Sequence, residues 1–162
     1  MKIEIERARA EDADDVLRLV EANRLTTDGL LDHLASILVA RLERRIVGTA
    51  ALELHPDGAL LRSVAISADV RGCGLGTSLI QSALRMANDL GACNVYLLTF
   101  TAEQYFERFG FRSLDRHEVP PSVRESVQFT HACPSNAVVM RRMARTNPTE
   151  NNSDGPIEFG VI

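Results

Sequence analysis

Hydrophobic residues recur along the chain in two periods, one typical of strands and one typical of helices. Residues 3–8 alternate between two faces, which predicts a first strand. The acidic run at 10–15 loads negative charge onto the start of a helix with an apolar side, as the helix dipole favours. Residues 75–90 repeat apolar side chains at helical spacing, and Gly91 ends that helix.

The other segments are predicted mainly as strands. Thr27 and Asp28 are suited to capping a second short helix. A turn at 55–58 separates two strands, and the prolines at 120–121 interrupt regular structure. The remaining predicted strands are 36–42, 46–54, 60–66, 93–99, 111–114 and 137–140, and a short helix covers 102–109. This order predicts an α/β (α+β) domain in which a mixed sheet carries helices on its faces.

Composition and charge place the chain among ordinary globular proteins. Its 162 residues, 45% hydrophobic and 25% charged, suffice for one domain with its own core. The net charge of −4 argues against non-specific nucleic-acid binding. Because there is no run of 18 apolar residues and no signal-peptide core, we expect no membrane association and a cytoplasmic location.

The junction between the fourth predicted strand and the long helix has the chemistry of an anion-binding site. Gly72, Gly74 and Gly76 let a ligand approach the backbone closely, and the first turn of a helix offers unpaired N–H groups. Arg71 adds a guanidinium for the same anion. The spacing fits neither a P-loop nor a Rossmann loop, and on its own the motif is equally compatible with a plain turn.

Two blocks of sequence lie in the order of a known family, with one strand between them. Arg71-x-x-Gly74-x-Gly76 follows an apolar strand, and residues 102–111 read A-x-x-Y-F-x-x-x-G-F. The first block resembles the pyrophosphate loop (Arg/Gln)-x-x-Gly-x-(Gly/Ala) of the GNAT superfamily of acetyl-CoA-dependent N-acetyltransferases. The second is similar to the family's later segment A-x-x-x-Y-x-x-x-G-F. The resemblance covers about residues 3–143.

This resemblance implies a fold, a reaction and a cofactor site. The GNAT fold is a mixed, mostly antiparallel sheet of about seven strands, flanked by about four helices and splayed at the acetyl-CoA site. Acetyl-CoA is the implied co-substrate, its acetyl group passes from the thioester to an amine, and no metal is expected. Carried over by position, the cofactor-binding residues are Val64, Ala65, Ile66, Arg71, Gly72, Cys73, Gly74, Leu75, Gly76, Thr77, Thr99 and Phe106.

The catalytic groups are also implied by the resemblance. GNAT enzymes stabilise the oxyanion with main-chain N–H groups of the strand before the loop, which makes the Ile66 N–H the donor here. Relatives often have a tyrosine acid where this chain has Phe106, and an asparagine where it has Thr99. Tyr105 lies one residue before Phe106, rotated by about 100° on a helix, so it is a candidate acid with a surface tyrosine as the alternative.

Arg62 is a charged residue in a strand that is otherwise apolar or small. Side chains two apart share a face, which places Arg62 with Leu60, Val64 and Ile66. A charge there is costly unless it is paired or opens into a cleft, and in the resemblance this face borders the acceptor site. We therefore expect Arg62 to bind a carboxylate of the acceptor; the alternative is a structural ion pair with an acidic neighbour such as Glu53.

Neither a general base nor a metal site stands out. The candidate bases by chemistry are Glu53, His117, Glu118 and His131, although such residues are more often structural or exposed. Cys73, Cys93 and Cys133 are an odd number without zinc-site spacing, which indicates free thiols. A three-thiol site is not expected, because a helix of about 16 residues, about 24 Å long, separates Cys73 from Cys93.

The C-terminal half of the sequence resembles two particular branches of the GNAT superfamily. The ArsN-type arsenic-resistance N-acetyltransferases and, more loosely, the acetyltransferase domain of bacterial N-acetylglutamate synthases resemble this chain at residues 97–102, 104–111, 119–120 and 129–140. Both branches concern amino-acid-like acceptors with a carboxylate, so we expect such a small-molecule acceptor. The alternatives are a protein or peptide N-acetyltransferase and a non-catalytic acetyl-CoA-binding sensor.

The composition changes near residue 145, where we expect the domain, residues 1–145, to end. Residues 146–162 have the composition of a flexible tail that ends in a more apolar segment. GNAT domains commonly dimerise, so a homodimer is compatible with the resemblance.

Overall fold

A seven-stranded sheet organises the computed structural model, which describes residues 2–130 and 136–143. The strands are β1 Ile3–Arg7, β2 Ile37–Leu42, β3 Arg45–His55, β4 Gly58–Ile66, β5 Asn94–Thr99, β6 Arg112–Ser113 and β7 Val138–Met143. They lie in the order β1-β2-β3-β4-β5-β7-β6. Every neighbouring pair is antiparallel except β4 and β5, which confirms the predicted mixed, mostly antiparallel sheet.

Five α-helices flank this sheet in the part of the chain that the structure describes. They are α1 Ala13–Ala22, α2 Leu75–Asp89, α3 Glu103–Glu107, α4 Pro121–Arg124 and α5 Val127–Thr130. Short 3-10 helices cover Ala10–Asp12, Leu30–Ser36, Ala68–Val70 and Arg116–Glu118. None of the described helices combines the length and the hydrophobicity that crossing a bilayer requires.

Different elements cover the two faces of the sheet. α2 and α3 cover one face, where Leu61, Leu79 and Phe106 are fully buried in one apolar cluster. α1 and the 3-10 helix Leu30–Ser36 pack on the opposite face over β2 and β3, and α4 extends this cover to β5 and β7. Burial of each large apolar side chain contributes roughly 1.5–3 kcal/mol, so tertiary packing is what holds α2 in place.

α2 follows the prediction closely because local chemistry defines both of its ends. The apolar spacing predicts a helix over 75–90, and the observed helix covers Leu75–Asp89. Gly74 precedes it with φ +81°, and Gly91 follows it with φ +80°. Only glycine adopts such left-handed backbone angles at little cost, so these two residues mark the ends of the helix in the sequence itself.

Three local predictions differ from the structure. The 3-10 helix Leu30–Ser36 begins after Gly29, whose φ is +69°, and residues 27–28 provide no side-chain cap; a main-chain carbonyl bonds to the first turn instead. The strand predicted at 111–114 is shortened to two residues. Pro121 begins α4 rather than interrupting regular structure, because the first turn of a helix needs no N–H from proline.

Some predictions concern residues outside the described part of the chain. They are the candidate base His131, the thiol of Cys133, the boundary near residue 145 and the tail at 146–162. These stay predictions.

Candidate active site

A gap between β4 and β5 lies at the centre of the candidate site. The two strands pair only at Ala59 with Val95 and at Leu60 with Tyr96, so the later part of β4 has no β5 partner. Because β3 pairs with the other side of β4, the gap leaves the β5-facing backbone edge of β4 unpaired after Leu60, although the side chains of β4 are buried. The predicted splay is thus present between the two parallel strands.

The main chain of Ile66 faces this gap. Ser67 donates its N–H to the Val47 carbonyl at 2.8 Å, which makes these two residues a hydrogen-bonded pair of the antiparallel ladder. Ile66 lies opposite Gly48, one position along. Since hydrogen-bonded and non-hydrogen-bonded pairs alternate, the N–H and C=O of Ile66 point away from β3. The predicted oxyanion donor therefore has the right direction to meet a ligand in the gap.

The glycine loop leads from the end of β4 into α2. The 3-10 turn Ala68–Val70 is followed by Gly72 and Gly74, each with φ +81°. The first helical bond runs from the Ser78 N–H to the Gly74 carbonyl at 3.1 Å. The preceding N–H groups, those of residues 75–77, have no carbonyl one turn earlier to bind and lie at the positive end of the helix dipole. A turn of this geometry can offer its N–H groups to a phosphate.

Two side chains of the loop, those of Arg71 and Cys73, contact other groups of the same chain. The Arg71 guanidinium donates through Nη2 to Asn23 Oδ1 at 2.9 Å and through Nε to the Ile66 carbonyl at 3.3 Å. Arg71 thus joins the end of α1 to the end of β4, and an anion at the loop has to share it. Cys73 is exposed, and its Sγ lies 2.9 Å from the Val70 carbonyl oxygen.

A bulge in β4 changes which side chains share a face. Thr49 pairs with Ala65 and Ala51 pairs with Arg62, so β4 has one more residue than β3 between these pairs, and Ser63 there has φ +55°. An extra residue reverses the alternation of side chains. The prediction that Arg62 shares a face with Val64 and Ile66 is therefore wrong, since those two pack against α2. Ala65 lies on the side of α1.

Arg62 is buried in a network of hydrogen bonds, with 0% of its surface exposed. Its Nη1 donates to Glu53 Oε2 at 2.8 Å, Nε to Ser63 Oγ at 3.1 Å and Nη2 to the Thr26 carbonyl at 3.3 Å. The ion pair with Glu53, which the sequence left open as the alternative, is present. A carboxylate-binding role for Arg62 stays a prediction, and any such ligand must compete with Glu53.

Glu53 is the acceptor around which this network is built. It is 2% exposed, and its Oε1 accepts from Ser126 Oγ at 2.7 Å and lies 3.1 Å from His55 Nε2 and 3.7 Å from His33 Nε2. Burial alone would raise the pKa of Glu53, but hydrogen bonds from His55, Ser126 and Arg62 outweigh it and lower the pKa to about 2. So weak a base is poorly suited to accept a proton from an amine.

The low pKa of Glu53 predicts an acid-dependent loss of stability. Its folded-state pKa, about 2, is below the ordinary 4.5, so the ionised carboxylate stabilises the fold fully above pH 4.5 and loses this effect as the pH falls toward 2. We expect the difference in melting temperature between the wild type and Glu53→Gln to shrink between about pH 5 and pH 2. The other titrating groups are the same residues in both proteins, and the range below pH 5 lies under the ordinary pKa of His33, 6.5, on which the Glu53 charge also acts. A difference that stays constant over this range would contradict the assignment.

Tyr105 lies beside the first turn of α2. Its Oη is 3.2 Å from Thr77 Oγ1, and the residue is 7% exposed, so it is not the surface tyrosine that the sequence allowed. Burial raises the pKa of Tyr105, and the hydrogen bond with Thr77 partly opposes this shift. The hydroxyl is therefore protonated at neutral pH and can donate.

Phe106 and Thr99 are both fully buried. Phe106 packs in the core on the α2 side of the sheet, with its ring 5.8 Å from that of Phe111. The Thr99 hydroxyl accepts the Ala102 N–H at 3.1 Å and so connects the end of β5 to the start of α3. Their contact with a cofactor stays a prediction.

Two other candidate bases, His117 and Glu118, lie away from this network. His117 and Glu118 are exposed on the 3-10 helix Arg116–Glu118, where Glu118 caps the turn by accepting the Asp115 N–H at 2.9 Å. Among residues 2–130 and 136–143, no three His, Cys, Asp or Glu side chains are arranged so that they could hold a metal ion. In the structure Cys73 precedes α2 and Cys93 follows it, so the two described thiols lie at opposite ends of that helix.

The sequence did not indicate the members of the Glu53 network other than Arg62 and Glu53 themselves. Thr26, His33 and Ser126 belong to three other segments and match no motif, and His55 was noted only as part of a turn. His33 has a lowered pKa, chiefly because it is partly buried, with the Glu53 charge acting in the opposite direction. Only the folded chain brings these groups together.

A sheet that opens between β4 and β5, with a glycine turn leading into a helix at the open end, is the architecture of an acetyltransferase. The family model described as Acetyltransferase (GNAT) domain matches residues 33–113. An amino-acid acetyltransferase of Mycobacterium tuberculosis is 30% identical over 132 residues, which cover 74% of this chain and 74% of the relative. The chain belongs to the GNAT family of acetyltransferases.

Solved structures share this fold. N-acetylglutamate synthase from Neisseria gonorrhoeae, complexed with coenzyme A and N-acetyl-glutamate, has a TM-score of 0.77 at 18% identity and covers 90% of this chain. The match spans only 36% of the synthase chain. Rv2747 from Mycobacterium tuberculosis, in complex with CoA and NLQ, has a TM-score of 0.74 at 22% identity, covering 86% of this chain and 98% of Rv2747. At these identities the likeness concerns the fold.

Proposed function

We propose that this protein transfers the acetyl group of acetyl-CoA to the amine of a small amino-acid-like acceptor. The observation that carries the proposal is the gap beside β4, in which the Ile66 main chain faces away from β3 directly before the glycine loop. A pantetheine arm in this gap has its thioester near Ile66, while the pyrophosphate lies at the first turn of α2.

The reaction needs few side chains. The acceptor nitrogen forms a bond to the thioester carbon, and the Ile66 N–H donates to the oxygen on which negative charge develops. The C–S bond then breaks, the nitrogen loses a proton and the thiolate gains one. In this proposal the residues that hold acetyl-CoA are Val64, Ala65, Ile66, Arg71, Gly72, Cys73, Gly74, Leu75, Gly76, Thr77, Thr99 and Phe106.

Two comparisons and the position of Arg62 support an amino-acid-like acceptor. The Mycobacterium tuberculosis relative at 30% identity is an amino-acid acetyltransferase, and the Neisseria gonorrhoeae structure holds N-acetyl-glutamate. Arg62, adjacent to the bulge of β4, is a cation on the sheet face opposite α2, where it could share its guanidinium between Glu53 and an acceptor carboxylate. Glutamate and arsenic-containing amino acids are the first acceptors to test, the latter because of the ArsN-type resemblance.

Release of free thiol from acetyl-CoA tests the proposal. The purified protein is assayed with glutamate, other amino acids, phosphinothricin-like and arsenical amino acids, and a lysine peptide. We expect turnover with one or a few carboxylate-bearing amino acids and none with the peptide. Turnover of the peptide alone would favour a protein acetyltransferase. Binding of acetyl-CoA without turnover of any amine would favour a sensor, and either result would overturn the proposal.

A homodimer stays a prediction that sedimentation can check.

A further inference from the structure

The contact between Tyr105 and Thr77 joins two segments at the proposed phosphate site. Thr77 is the third residue of α2, and its hydroxyl lies 3.2 Å from the Tyr105 hydroxyl, 28 residues later in the chain. Tyr105 is 7% exposed, whereas Thr77 is only partly buried. The hydroxyl of the buried Tyr105 is therefore in contact with the hydroxyl of Thr77, a residue that is partly exposed.

The position of the Tyr105 hydroxyl is well defined by packing. The Tyr105 ring makes edge contacts with Phe106 and Phe109, at centroid distances of 5.3 and 5.2 Å. The Arg108 guanidinium lies 5.9 Å from the ring centroid. Because Phe106 and Phe109 are buried, their packing holds the Tyr105 ring and directs its hydroxyl to α2.

The contact between Tyr105 and Thr77 leaves one hydroxyl proton for a ligand. A hydroxyl has one proton to donate, and burial keeps the Tyr105 hydroxyl protonated by raising its pKa. When Tyr105 donates to Thr77 Oγ1, the Thr77 proton is available for another acceptor. The neighbouring N–H groups of residues 75–77 already favour an anion at this turn, so a phosphate oxygen is the acceptor that fits.

We propose that Tyr105 is a positioning residue that acts through Thr77 on the phosphate-bearing half of acetyl-CoA, and that it is not the acid for the leaving thiolate. The proposal rests on the proposed function and names a role for a tyrosine that the sequence placed one residue from the usual acid. It predicts that the effect of Tyr105 depends on the phosphates of the co-substrate and not on its thiol.

The test compares acetyl-CoA with S-acetylpantetheine, which has the same thioester and no phosphate. With acetyl-CoA, Tyr105→Phe and Thr77→Val should each raise KM by about threefold to tenfold, the effect of one lost hydrogen bond, with kcat unchanged. With S-acetylpantetheine, kcat/KM of both variants should equal that of the wild type. The double variant should be no worse than Thr77→Val alone, because the two residues act as one unit.

Two control variants separate this role from a structural one. Tyr96→Phe removes the hydroxyl of the chain's other tyrosine, which is buried on the opposite face of the sheet, and should leave KM for acetyl-CoA unchanged. Thr77→Ser keeps the hydroxyl and should retain most of the affinity. If Tyr105→Phe lowers kcat with both co-substrates, Tyr105 is the acid and the proposal is wrong. An unchanged KM with acetyl-CoA would also overturn it.

Direct binding keeps this test independent of turnover. If the wild type acetylates no acceptor, the proposed function fails, but calorimetry with coenzyme A and with pantetheine still measures the affinity of each variant. A loss of affinity for coenzyme A alone supports the positioning role. Equal losses for both ligands, or none, contradict it.

Discussion

Arg62→Met should lower the free energy of unfolding by about 3–5 kcal/mol, the cost of leaving a buried carboxylate without its ion-pair partner. Glu53 is 2% exposed and Arg62 is 0% exposed, so solvent cannot replace the lost interaction without opening the structure. Chemical denaturation with urea measures this change directly, and the midpoint should fall without a change in slope.

Two further variants isolate the buried charge as the cause. Arg45→Met removes the arginine of an exposed ion pair with Asp69, and it should change stability much less, because surface pairs are screened by solvent. Adding Glu53→Gln to Arg62→Met should recover much of the loss, since glutamine is neutral and can still accept from Ser126. An Arg62→Met protein as stable as the Arg45→Met protein would refute this account of the network.

The same residue allows a check of the acceptor site. Arg62→Lys keeps a positive charge next to Glu53 but loses the planar fork that binds a carboxylate through two hydrogen bonds. If Arg62 also binds the acceptor, KM for the amino acid should rise while KM for acetyl-CoA stays the same. An unchanged acceptor KM would restrict Arg62 to its structural role.

Gly74→Val should weaken acetyl-CoA binding by about tenfold to one hundredfold, which corresponds to the loss of one hydrogen bond to a charged group. Gly74 precedes α2 with φ +81°, and a β-branched residue at this angle forces the turn to change. The N–H groups of residues 75–77 then no longer converge on one position. Calorimetric titration with acetyl-CoA measures the change in Kd.

Gly91→Val is the matched control for this prediction. Gly91 has nearly the same angle, φ +80°, and a side chain added there meets nothing within 4 Å. It follows the other end of α2, away from the loop. Both valine variants should lose roughly 1–2 kcal/mol of stability from backbone strain, but only Gly74→Val should lose affinity. If both variants bind acetyl-CoA equally well, the loop is not the phosphate site.

Much of the fold could be predicted because its signals are local. The apolar spacing of α2, the glycines at its two ends and the alternation of β1 each depend on residues that are neighbours in sequence. The start of the short 3-10 helix after Gly29 was harder to predict, because it depends on a backbone angle rather than on a capping side chain. β6 was overestimated, since only contact with β7 decides how many residues pair.

Only part of the candidate site could be predicted from the sequence. The glycine loop could be recognised, because its function depends on backbone freedom and a helix terminus, both of which the sequence specifies locally. The neighbours of Arg62 on its face of the sheet could not be predicted. Strict alternation of side chains fails at the bulge at Ser63, and no residue type in the sequence indicates that bulge. The neighbour of Tyr105 could not be predicted either, since Thr77 lies on another helix.

Local signals in the sequence were enough to predict the succession of the main strands and helices and the loop that resembles the GNAT family, since these depend on periodicity and on glycines at particular positions. The hydrogen-bond partners of the buried charged and polar groups depend instead on how the chain packs. Glu53 and Arg62 lie on adjacent strands, and the sequence left their pairing open as an alternative. Their other partners, Thr26, His33 and Ser126, come from separate segments that only the packing of the chain brings to a buried charge. Distance in sequence, which local patterns cannot span, is the physical reason for the difference.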